Sequence, residues 1–157
     1  MSSKIDEVVR GLYAAAAETV AEGDEVHPVW LTIPADPGGA ARLAVFAEFP
    51  PDAGPEAVGA MTRAAVADPE VAAVVFMNEA WVVQRDPRSE LLEGRVADQP
   101  DREETVLLLV TTRAGTEAYS WPIRRSAAGA SVEWRDALKG AKLGGRLVPG
   151  QKGNELH

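Results

Sequence analysis

The run VAAVVFMNEAWVV, residues 71–83, decides the fold. It is the most apolar stretch of the chain, and its valines are β-branched side chains that lose rotamer freedom in a helix and fit a pleated sheet. A run apolar on both alternating faces predicts a central strand buried on both sides. Thr105 to Thr112, with Leu107, Leu108, Leu109 and Val110 in succession, predicts a second buried strand. Arg113-Ala114-Gly115-Thr116 then turns into Tyr119, Trp121 and Ile123 alternating on a third, and Val132 with Trp134 marks a short final strand.

Working toward the N-terminus, Gly54-Pro55-Glu56 opens a helix over about Pro55 to Ala67, with proline in the first turn and an acid near the positive end of the dipole. Val58, Met61 and Ala65 are expected to face inward. The turn residues Asp36-Pro37-Gly38-Gly39 predict that a strand from about Ala41 to Phe49 folds back on one from His27 to Ile33. Ser3 and Asp6 resemble a capping box, and Ile5, Val8, Val9, Leu12, Ala16 and Val20 recur at helical spacing, so a first helix is expected over about Lys4 to Glu22.

These elements predict an α+β fold, a largely antiparallel sheet of five or six strands with two helices on one face. Two helices so placed leave the other apolar face in need of a further layer or a second protomer, and a homodimer is the economical solution. The 157 residues suit a single domain over residues 1–135. Residues 136–157 form a basic Gly/Lys-rich tail, in which Lys139, Lys142, Arg146 and Lys152 outnumber Asp136 and Glu155. Such a tail is expected to be flexible. It is solvated, folded back on the acidic body, or in reach of a protein partner.

With no cysteine, the chain has no disulfide, thiolate nucleophile or sulfur-ligated metal. A cytoplasmic location is expected, because residues 1–25 lack the apolar stretch of a secretory signal and nothing approaches the roughly 18 apolar residues of a membrane span. The net charge of -8 repels phosphate backbones and argues against nucleic acid. Phosphate-cradling glycine loops, nucleophile elbows and paired-histidine zinc motifs are absent, so no cofactor and no metal is expected. His27 and His157 are the only histidines, and His27 is read as the start of a strand.

Four residues stand out as site candidates. Glu79 lies in the most apolar strand, where an uncompensated carboxylate is costly, and alternation puts it on one face with Met77, Trp81 and Val83. It is either a general acid or base beside an aromatic wall, or a rim residue held by an arginine. Between the two buried strands lie about twenty charge-dense residues, Gln84 to Glu103, with a short helical turn expected over Ser89 to Val96. They lead into Pro100-Asp101-Arg102-Glu103-Glu104. If the two strands pair, Arg102 becomes the natural partner of Glu79, or a clamp for a ligand anion, with Trp81 and Glu104 nearby. Trp30, Trp81, Trp121 and Trp134 are either core or the lining of one pocket.

A strand ending in Glu-Ala-Trp, a charged loop and a Pro-Asp-Arg-Glu-Glu lead into an apolar strand together resemble small bacterial and phage proteins, over about Val71 to Thr112. The abundant Ala, Gly, Val and Arg agree with a bacterial coding bias. That resemblance implies no activity and no catalytic residue. The leading functional expectation is a non-enzymatic, homodimeric protein-interaction module. The alternative is a small-ligand-binding protein or enzyme using Glu79 and Arg102, with Glu104 and Trp81 beside them.

Overall fold

The computed structural model describes residues 3–45, 55–83 and 100–138. Helix α1 spans Ser3–Ala21 and α2 Pro55–Ala67; the strands are β1 (Val29–Pro34), β2 (Arg42–Val45), β3 (Val71–Val82), β4 (Glu103–Thr112), β5 (Gly115–Ser126) and β6 (Gly129–Val132). They form one sheet in the order β2-β1-β3-β4-β5-β6, antiparallel throughout. The α+β class, the antiparallel sheet and the two helices follow the sequence reading. Among the described residues no helix is long and apolar enough to cross a membrane. Expectations placed on residues 46–49, 84–99 and 139–157 lie outside the described residues.

The apolar run forms β3 as expected and occupies the middle of the sheet. Its register is Met77 opposite Leu108, Glu79 opposite Val106 and Trp81 opposite Glu104. β4 and β5 join through Arg113-Ala114, and β5 and β6 through Ala127-Ala128. In both turns the next residue, Gly115 or Gly129, takes a positive φ, of 138° and 129°. Nothing crowds either Cα, so glycine is needed for its backbone freedom and not for space.

Alternation along the strands separates two faces. On the first, Ala73, Val75 and Met77 of β3 meet Val106, Leu108 and Val110 of β4 and Tyr119, Trp121 and Ile123 of β5, roofed by Ile5, Val9, Ala16 and Val20 of α1. Each large side chain fully buried here contributes about 1.5–3 kcal/mol. The placement of α2 is finer than the class and goes differently. Trp30 packs on Phe76 on the second face, and its indole Nε1 donates to Thr62 Oγ1 of α2 at 3.2 Å. The helices therefore divide between the faces. In α2, Ala65 is partly buried as expected, but Met61 is exposed, and Thr62 and Val66 are partly buried.

This second face bears on the expected dimer. Val74, Phe76, Ala80 and Leu107 are buried within the single chain, along with polar Asn78, Thr105 and Ser120. Among the described residues these β3 and β4 side chains therefore do not form an uncovered apolar face.

Candidate functional site

β5 runs the length of the α1-facing side, and chemistry-bearing side chains gather at both of its ends. Toward its C-terminal end, Glu79 is only 3% exposed, and its Oε1 accepts a 2.9 Å hydrogen bond from the backbone N–H of Val26, in the connection between α1 and β1. That bond ties the connection to the central strand. Glu104 accepts a bidentate pair from Arg125, at 2.6 Å from Nη2 and 3.0 Å from Nε. Bonding to Glu104, chiefly, and the charge of Glu79 push the Arg125 guanidinium pKa above its ordinary value. Arg102 lies over the Trp81 ring, its guanidinium carbon 4.9 Å from the centroid.

The four sequence candidates are thus brought to one corner. Sequence reasoning missed Arg125, the arginine whose charge senses Glu79. It lies 21 residues from Glu104 on a different strand, and only the β4–β5 register brings the two together.

At the other end of β5 an open cavity of about 360 Å³ lies between the first turns of α1, the start of β5 and the segment after β6. That segment returns along β5: Glu133 N–H donates to the Pro122 carbonyl, and Leu138 N–H to that of Ala118. Trp121 Nε1 donates to the Arg135 carbonyl at 3.1 Å, and Tyr13 OH to that of Val132 at 2.6 Å. These bonds hold Trp134 in place as a cavity wall. Its ring stacks on Trp121 at a centroid distance of 5.3 Å and meets Tyr13 edge-on at 5.1 Å, and its Nε1 donates to Asp136 Oδ1.

Among the described residues three carboxylates line the cavity, those of Asp6, Glu117 and Asp136, against one cation, Arg10, whose guanidinium carbon lies 5.7 Å from the Trp134 centroid. Among the described residues Arg10 forms no ion pair with any of the three. Glu117 Oε2 is closed to solvent and, among the described residues, has no hydrogen-bond partner. Tyr119, beside them, has its phenol pKa raised above 10.0, first by burial and then by Glu117, Asp6 and Asp136; Arg10 acts the other way. Only Trp134 of this constellation was a sequence candidate. The available signal was weak: Glu117 precedes Tyr119 by two on an alternating strand, and Asp6 and Arg10 are four apart on one helix face.

The four tryptophans do not line one pocket. Trp121 is wholly core, Trp30 belongs to the second face, Trp81 sits at the Glu79 corner and Trp134 walls the cavity. Among the described residues no group of three or more His, Asp or Glu side chains is placed to hold a metal ion. Comparison with known proteins finds no matching family model, no matching curated protein and no matching solved structure.

Proposed function

We propose that this chain is a small-molecule-binding domain whose ligand sits in the cavity walled by Trp134 and Tyr119. The observation that carries the reading is Glu117, which lines a cavity large enough for a small ligand and whose Oε2, closed to solvent, has no hydrogen-bond partner among the described residues. An unmet acceptor of that kind costs about 1–3 kcal/mol and is expected where a ligand supplies the donor. The interaction-module reading has less to stand on, because the apolar face that motivated it is buried in the chain itself. At the Glu79 corner the acids already have partners, which suits a structural latch better than a reacting site.

A ligand-observed NMR screen of a mixed fragment set against the full chain tests this reading, with Trp134→Leu as the counter-screen. Fragments that bind the native chain and are lost in the variant support it. An empty screen, or hits indifferent to the substitution, removes it.

A further inference from the structure

The charge of the cavity points to its occupant. We infer that the cavity takes an organic cation, an ammonium group attached to an apolar body; this rests on the binding role proposed above. Three independent features converge on that chemistry. Among the described residues the lining carries three carboxylates and one guanidinium, an excess of two negative charges. Trp134 and Tyr119 line the cavity, and the quadrupole of an aromatic ring favours cations over anions; the Trp134 ring already carries the Arg10 guanidinium. The chain already places a cation of its own there, Arg10 over Trp134, held without an ion pair to any of the three acids.

Glu117 sets the polarity. Its Oε2 is an acceptor lacking a donor, and the side chain lines the cavity, so rotation about its own χ angles brings that oxygen to an N–H seated beside the rings. A ligand carboxylate or phosphate would meet three like charges instead, and a neutral ligand would leave the negative excess uncompensated. The apolar part of the cation lies against Val9 and the indole, which selects a hydrocarbon-bearing amine over a bare inorganic ion.

Isothermal titration of the full chain with benzylammonium, benzyl alcohol and benzoate, which share a ring and differ in charge, decides the matter. The expected order is benzylammonium first, by at least about tenfold, with binding that weakens as salt is added. Glu117→Gln is expected to weaken benzylammonium about tenfold. Asp6→Asn, at an exposed position, is expected to weaken it less. If benzyl alcohol or benzoate binds as tightly as benzylammonium and is lost in Trp134→Leu, the cation assignment is overturned while the binding role survives. If none of the three binds, both are overturned.

Discussion

The two ends of β5 carry similar residues in opposite conditions. At the Glu79 corner each acid has an answer: Glu79 takes the Val26 N–H, Glu104 takes both forks of Arg125, and Arg102 rests on Trp81. At the cavity the acids outnumber the cation, and one carboxylate oxygen is left without a donor. Buried charge is costly unless it is hydrogen-bonded, so the first arrangement supports the fold and the second works against it. A fold tolerates such an imbalance where it is used for something else. The contrast therefore separates carboxylates that hold the fold together from carboxylates that the fold does not need.

Removing acids from each end tests the contrast, because the sign of the effect should reverse. Glu79→Ala leaves the Val26 N–H unsatisfied and a void in the sheet, and is expected to lower unfolding free energy by about 3 kcal/mol in urea titration. Glu79→Gln keeps an acceptor oxygen and should retain most of that stability; equal losses in the two variants would refute the latch. Arg125→Gln is expected to cost about 1 kcal/mol or less, since the arginine is half exposed and its pairing is screened by water. At the cavity, Glu117→Gln is expected to stabilise by about 0.5 kcal/mol, by removing repulsion and an unmet charge. A loss there would mean that Glu117 belongs to the framework.

The smallest effect is on alkaline stability. Tyr119 holds its proton more tightly in the folded state than at its ordinary value of 10.0, because ionisation would put a phenolate in a buried site facing Glu117, Asp6 and Asp136, with Arg10 only partly compensating. Its contribution is therefore fully present below pH 10 and is lost as the pH rises through the raised folded value. Urea midpoints on either side of that pH should fall less steeply in Tyr119→Phe than in the native chain. Identical slopes would detach Tyr119 from the acidic cluster.

The order of helices and strands could be read from the chain because each rests on local physics. β-branched and leucine runs specified β3 and β4, and turn residues specified the hairpins. Gathering Glu79, Trp81, Arg102 and Glu104 at one corner needed only the assumption that β3 and β4 pair. What was not legible depends on register or phase. Arg125 reaches Glu104 only once β5 is aligned on β4. Thr62 turns inward in place of Met61 because of an indole more than thirty residues away. The cavity needs α1, β5 and a returning segment all at once, and no window of sequence contains the three.

The hairpin turns also bear on how the chain reaches this state. β4, β5 and β6 are joined by two-residue connections, so their pairing closes very short loops, whereas β1 must span α2 before Leu31 finds Val75. Loop closure over that distance costs more entropy, so the meander around Leu108 is expected to be structured in the folding transition state, with β1 docking later. Leu108→Ala should then mainly slow folding and Leu31→Ala mainly speed unfolding, a split that stopped-flow chevrons resolve. On that order the wall of β5 that lines the cavity is formed early, before the β1–β2 edge of the sheet is in place.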